Sequence, residues 1–284
     1  LNDLNKAFID LSTKYNQFSG LFDDVDLKSK KLGADDQQSN VTITEVLKKL
    51  NGIDVLGHNG DVIGDAYEFL ISQFASEAGK KAGELYTPHE VSDMMARIAA
   101  IGQEDKKLFS VFDPTMGSGS LMLNIRNYLN YPKSVKYHGQ ELNTTTFNLA
   151  KMNLILHGVD NEDIRLRNGD TLNKDWPTDE PYTFDSVVMN PPYSAKWSSD
   201  DTFLDDSRFN RYGKLAPKSK ADFAFLLHGF YHLKDSGTMA IVLPHGVLFR
   251  GAAEGVIRKK LLEDGSIDTV IGMPANLFFG TSIP

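Results

Sequence analysis

From residue 81 onward, short apolar runs alternate with amphipathic stretches, and this alternation leaves few folds open. The strand-like runs are Leu108–Phe112, Val135–Gly139, Asp163–Leu166, Phe184–Met189, Thr238–Leu243 and Ile267–Gly272. Helical patterning fills the gaps at Val91–Ala100, Ser120–Leu129, Thr144–His157, Asp222–Leu233 and Ala252–Glu263. Strand, turn and helix repeated in this way predict an α/β fold: a doubly wound parallel sheet with helices on both faces. Such sheets bind ligands at the carboxyl ends of their strands, so chemistry is to be sought just after each strand.

Residues 1–80 read differently, as a mostly helical N-terminal region ahead of the sheet domain of residues 81–284. They carry 8 basic and 13 acidic residues, net −5. Phe8, Leu11, Tyr15 and Phe18 recur at helical spacing, and Val62, Tyr67, Phe69, Leu70 and Phe74 predict a second helix with Asp61 as its N-cap. Between them, Asp23 to Asn40 is nearly all polar and predicts an exposed loop. The bland function of this region, a packing or interaction surface, is the expected one.

Charge and cysteine usage remove whole classes of function. The formal charge is −8 over 284 residues, which argues against a protein that grips nucleic acid through its global field. Cysteine is absent, and with it disulfide scaffolds, thiolate metal sites and cysteine nucleophiles. No apolar run approaches the roughly 20 residues of a membrane helix, and no signal pattern opens the chain. A start at Leu1 and a stop at Pro284 predict a fragment of something longer.

Three sites follow strands. Asp113-Pro114-Thr115-Met116-Gly117-Ser118-Gly119-Ser120 joins a strand to a helix, its glycines permitting a tight turn and close backbone approach. Position 122 is Met and no Walker lysine follows, so neither a dinucleotide nor a P-loop fingerprint is complete. Alone, this is as often an ordinary strand-to-helix turn. Glu141 ends the next strand 22 residues after Gly119, near the spacing at which an acid takes ribose hydroxyls, and together they point to an adenosine-containing cofactor. The third site is Asn190-Pro191-Pro192-Tyr193, directly after Phe184–Met189. Two prolines stiffen the turn and remove two donors, leaving the Asn190 amide and the Pro191 carbonyl fixed at the strand's end.

With these residues in hand, the chain resembles the N6-adenine DNA methyltransferases that carry an NPPY motif. Among them it is most similar to the modification subunits of type I restriction–modification systems. The order Gly83–Met95, DPTMGSGS, GQELN, NGDTL and NPPY carries the likeness. It implies a Rossmann-like sheet that uses S-adenosyl-L-methionine, with Asn190, Pro191 and Tyr193 catalytic. It implies cofactor contacts from Glu84, Leu85, Tyr86, Thr87, Pro88 and His89 at the methionine end. Asp113, Gly117, Ser118, Gly119, Ser120 and Glu141 would surround the rest of the cofactor, with Asp170 and Phe225 at its adenine. Tyr193 and one of Phe278 or Phe279 would sandwich a target base drawn out of double-stranded DNA. A specificity (S) subunit and a restriction (R) subunit are the implied partners, with no membrane, in a bacterial or archaeal cytoplasm.

The chemistry agrees with that reading. An exocyclic adenine amine is a weak nucleophile because its lone pair is delocalised into the ring. Two fixed acceptors, the Asn190 side-chain oxygen and the Pro191 carbonyl, would bond its two hydrogens and turn the lone pair towards a methyl donor. Local signals remain open beside it. Thr87-Pro88-His89-Glu90 reads as a capping box with Thr87 as the cap. Asp170 is equally a turn aspartate, and Phe225 equally a core residue. His228 and His232 stand i,i+4 on a helix, but no third ligand follows from the sequence, so structural histidines with no metal are expected. Arg208, Arg211, Lys214, Lys218 and Lys220 form a basic run without an acid, interleaved with Phe209 and Tyr212, and are expected to meet phosphates. Two rivals stay open: an amino-methyltransferase acting on RNA or a protein glutamine, and a catalytically silent cofactor-binding scaffold.

Overall fold

The computed structural model describes residues 1–53, 60–77 and 87–278. Its centre is a five-stranded, all-parallel sheet in the order β3-β2-β1-β4-β5. The strands are β1 (Phe109–Asp113), β2 (Val135–Glu141), β3 (Ile164–Asn168), β4 (Phe184–Met189) and β5 (Leu233–Ile241). The order reverses between β1 and β4, so the switch point opens where their carboxyl ends diverge. The Asp113 turn follows one of these strands and Asn190 the other.

Both central strands are buried along their whole length, as continuous apolar runs in a doubly covered sheet should be. Two apolar layers flank them. One gathers α4 (His89–Ala100), α5 (Ser120–Asn124) and α6 (Thr144–Leu156) over Phe109, Val111, Tyr137 and Val188. The other sets α7 (Asp222–Tyr231) and α8 (Ala252–Glu263) against Phe112, Phe184, Val187 and Met189. At the strands' amino ends, buried Asp185 takes bonds from the Ser110 amide and hydroxyl, Lys106 and Lys234. Burial works against its charge, but these donors outweigh it and hold its pKa down to about 2.

Several sequence expectations need correction. Ile267–Gly272 forms no strand: β5 closes the sheet among the described residues, and Val270 and Ile271 lie exposed beside α8 without a ladder. The strand expected at Thr238 begins at Leu233, because an irregular register against β4 absorbs the extra residues directly after α7. The polar stretch ending at Asn40 is not all loop. Asp35 accepts from the Gln38 amide at 2.8 Å and starts α2 (Asp36–Asn51).

The N-terminal helices also use faces the apolar pattern did not single out. On α1 (Asn2–Lys14), Phe8 stacks on Phe22 at 4.4 Å, yet no residue of α1 is buried. In α3 (Gly60–Glu77), Asp61 lies inside the first turn rather than before it. Phe69, Leu70 and Phe74 are exposed, whereas Ile71 and Ala75 are buried. Gly64 lies so close to α6 that a Cβ there would come within 2.5 Å of the His157 ring. A glycine, rather than the large apolar residues, sets the approach of α3.

Candidate active site

The turn after β1 folds onto the end of β2. The Met116 amide donates to the Gln140 carbonyl at 3.0 Å, and the Gly117 amide to Glu141 Oε2 at 3.2 Å. Glu141 Oε1 accepts from the Asn143 amide at 2.8 Å, so two backbone donors orient this carboxylate. Gly119 holds φ at +78°, a conformation that would strain any side chain, and begins α5. The Ser118 and Ser120 hydroxyls face each other at 3.0 Å, and Asn153 donates to the Ser118 carbonyl and the Ser120 hydroxyl from below. Their side chains thus support the turn. Asp113 is buried beneath it, and burial, with the nearby negative charge of Glu141 adding to it, pushes its carboxyl up to about 8 against the Thr115 amide's bond.

Asn190, buried at the end of β4, is fixed on both sides. Its Nδ2 donates to the Thr87 hydroxyl at 3.2 Å, and its Oδ1 accepts from the Tyr193 hydroxyl at 3.0 Å. The amide oxygen thus faces Tyr193 and the amide nitrogen faces Thr87. Burial pushes the Tyr193 hydroxyl up, so it stays a protonated donor. Phe278 meets the Tyr193 ring edge-on, centroids 5.9 Å apart.

This geometry replaces the expected capping box. The cap of α4 is Pro88, without a side-chain bond, and the buried Thr87 hydroxyl is turned to Asn190 instead. His89 and Glu90 lie exposed in the first turn. Glu84, Leu85, Tyr86 and Phe279 lie outside the described residues. Asp170 is exposed and accepts from the Leu172 amide at 2.9 Å, as a turn aspartate does. Phe225 is buried in the layer under α7.

The basic run does not form one phosphate-facing surface. Arg208 is 2% exposed: it chelates Asp206 at 2.7–3.2 Å, donates to the Thr171 carbonyl at 3.0 Å and lies 3.2 Å from His228 Nδ1. It belongs to the interior, and its assignment to phosphate fails on burial. Arg211 pairs with Asp264, a partner 53 residues away that no local pattern reveals. Lys214 and Lys218 stay exposed.

Asp175 joins the histidines. Its Oδ1 lies 2.9 Å from His232 Nε2 and 3.9 Å from His228 Nδ1. The third potential ligand that the sequence did not indicate is therefore present, within 4.8 Å of the other two donor atoms. Arg208 already stands among these groups as their cation. Burial, and then the charges of His232 and Arg208, hold His228 well below its usual pKa and neutral.

A parallel sheet with a glycine turn after β1, an acid ending β2 and Asn-Pro-Pro-Tyr ending β4 defines the fold of the S-adenosylmethionine-dependent methyltransferases. Within that class, the N-6 DNA Methylase family model matches residues 58–284, and the chain belongs to this family. It is 44% identical to the type I restriction enzyme MpnII methylase subunit of Mycoplasma pneumoniae, over 94% of this chain and 51% of that one. It is 31% identical to the MjaVII methylase subunit of Methanocaldococcus jannaschii, over 98% of this chain and 49% of that one. A type I restriction-modification methyltransferase subunit from Streptococcus thermophilus superposes with a TM-score of 0.96 at 62% identity, over all of this chain and 60% of that one. The chain spans about half the length of the curated relatives it matches.

Proposed function

We propose that this chain is the catalytic part of an adenine-specific DNA methyltransferase, working as the modification subunit of a type I system. The observation that carries the reading is the Asn190 side chain, buried at the switch point and hydrogen-bonded on both sides, to the hydroxyls of Tyr193 and Thr87. In this reading residues 81–284 form the catalytic domain and residues 1–80 a helical region ahead of it.

The residues present suit S-adenosylmethionine. Glu141 is oriented by two amides where a ribose diol would lie, and Gly119 admits close approach. Asp113, Gly117–Ser120 and Glu141 would hold the nucleoside, with Asp170 and Phe225 at its adenine and the segment Glu84–His89 at its methionine. When bound, the cofactor supplies an electrophilic methyl on a sulfonium. Asn190 Oδ1 and the Pro191 carbonyl accept the two hydrogens of the target amine and align its lone pair. Tyr193, with Phe278 or Phe279, stacks on the displaced base. The two oxygens would stabilise the positive charge that grows on the target nitrogen until one amine proton leaves to water.

Target choice falls to a specificity subunit, consistent with a charge of −8 and a dispersed basic run; a restriction subunit completes the assembly, in a bacterial or archaeal cytoplasm. Among the described residues, no helix is long and apolar enough to cross a membrane. The test incubates the full complex with methyl-labelled cofactor and DNA, then digests to nucleosides. Label in N6-methyl-2′-deoxyadenosine is expected. Label in protein or RNA would favour the rival methyltransferases, and tight cofactor binding without transfer would favour the silent scaffold.

A further inference from the structure

The turn leaving the Asn-Pro-Pro-Tyr motif adopts a conformation that its own residues do not favour. Ser194 has φ of +51°, in the left-handed region, and it is exposed, so its side chain packs nothing that would compensate. Such a backbone persists only where the surroundings over-determine it. Here the surroundings are one side chain and one ladder-like bond. The Ser194 amide donates to Asp222 Oδ1 at 2.8 Å, and the Ala221 amide donates to the Ala195 carbonyl at 2.8 Å. The start of α7 therefore grips the two residues that follow Tyr193.

Asp222 is itself held. It is 1% exposed, and its Oδ2 accepts from Arg250. Arg250 also donates to both oxygens of the buried Glu254 at 2.8 Å. Its backbone carbonyl accepts from Arg258 at 2.9 Å. Gly246 leaves the space the guanidinium fills, since a Cβ there would come within 2.6 Å of it. A buried ion pair is a poor way merely to join two helices, because well-packed apolar residues would do so as well or better. What this carboxylate adds is an acceptor aimed at a backbone amide one residue beyond the aromatic ring.

We propose that Asp222 is a positioning residue for methyl transfer. Bonded to Arg250, it locks Ser194 in the left-handed conformation and so sets the plane of Tyr193 and the approach of the target base to Asn190. This rests on the function proposed above. Asp222 touches no reacting atom; it acts through the loop. The division of roles is geometric: Arg250, itself held by Glu254, keeps the carboxylate in place, and the carboxylate keeps the loop.

The test uses the full-length protein in its DNA-methylating complex, with Asp222→Asn alone and combined with Ser194→Gly. The buried amide cannot serve both the Ser194 amide and Arg250, so the turn loosens. Turnover should fall roughly 10–100-fold, with cofactor affinity and KM for DNA little changed. Glycine reaches the left-handed region without steric cost, so the double variant should recover part of that loss. Hydrogen exchange across residues 192–197 should rise in Asp222→Asn while the core of α7 and α8 stays protected. Wild-type turnover in Asp222→Asn would overturn the proposal. So would a loss that Ser194→Gly does not relieve, or a rise in exchange spread over α7 and α8. Failure of the wild-type complex to methylate adenine would instead overturn the proposed function, and exchange at the loop would still decide the role of Asp222.

Discussion

The Tyr193 hydroxyl donates to Asn190 Oδ1 at 3.0 Å, so a phenol occupies the acceptor that the proposed chemistry reserves for the target amine. The edge-on contact of Phe278 with Tyr193 likewise fills the space where a base would stack. Tyr193→Phe removes the competing donor but keeps the ring. It should hold turnover within about tenfold of wild type, since one neutral hydrogen bond is worth about 1 kcal/mol. Tyr193→Ala also loses the stacking face, worth about 1–3 kcal/mol, and should fall well below that. Single-turnover methylation of both variants checks the ordering; equal losses would show that the hydroxyl, not the ring, is what the reaction needs.

Asn190 and Thr87 make a second, graded pair. Asn190→Ala should lower turnover by roughly two orders of magnitude with cofactor affinity nearly unchanged, because its oxygen acts mainly in the transition state. Thr87→Val leaves the Asn190 NH2 group without its hydroxyl partner and should cost about 1–2 kcal/mol in activation, roughly tenfold in rate. Thr87→Ser should restore most of it. Pre-steady-state rates, with cofactor titration by calorimetry alongside, separate these effects from binding.

Asp113 predicts a pH dependence of stability. Its folded pKa, near 8, lies above the ordinary carboxylate value, so the native state holds a proton that the unfolded chain releases. Its contribution is full below about pH 4 and is lost as pH rises through 8. Asp113→Asn, which mimics the protonated form, should flatten that decline. Thermal melts from pH 5 to 8.5 without cofactor should converge at the acid end and separate at the alkaline end.

Arg208 and Lys214 should part company. Arg208→Ala leaves Asp206 partly buried without its partner and unties the Thr171 carbonyl, and should destabilise the fold by about 3–5 kcal/mol. Lys214→Ala should leave Tm unchanged while weakening DNA binding by the complex equally for all sequences. Melting curves and salt-dependent binding titrations read the two effects. An unchanged Tm in Arg208→Ala would contradict the interior role.

The sheet and the three loci at its carboxyl ends were legible because each depends on local pattern: apolar runs, glycine where a turn needs it, and proline after a strand. What was not legible depends on partners distant in sequence. Arg208 and Arg211 look solvated beside their neighbours, but Arg208 is drawn inside by the Thr171 carbonyl and His228, and Arg211 pairs with Asp264. Thr87 fits a capping pattern, yet the bond that wins is to Asn190, 103 residues on. Asp175 carries no signal at all until the fold sets it beside His232. Hydrophobic spacing marked a helix near Phe69 correctly but not its buried face, since of that face only Ile71 carries apolar bulk, while Gly64 and Ala75 carry little or none.

Asn153 has a consequence beyond its bonds to the turn. The same NH2 group that supports Ser118 and Ser120 also donates to Glu68 on α3 at 3.2 Å. One amide thus serves as a hinge pin between the outer helical layer and the glycine turn. With Gly64 seated on His157, α3 has no slack to rotate without pulling on that pin. Anything that tugs on α3 is felt first at the glycine turn after β1, before it reaches the Asn-Pro-Pro-Tyr loop at the end of β4.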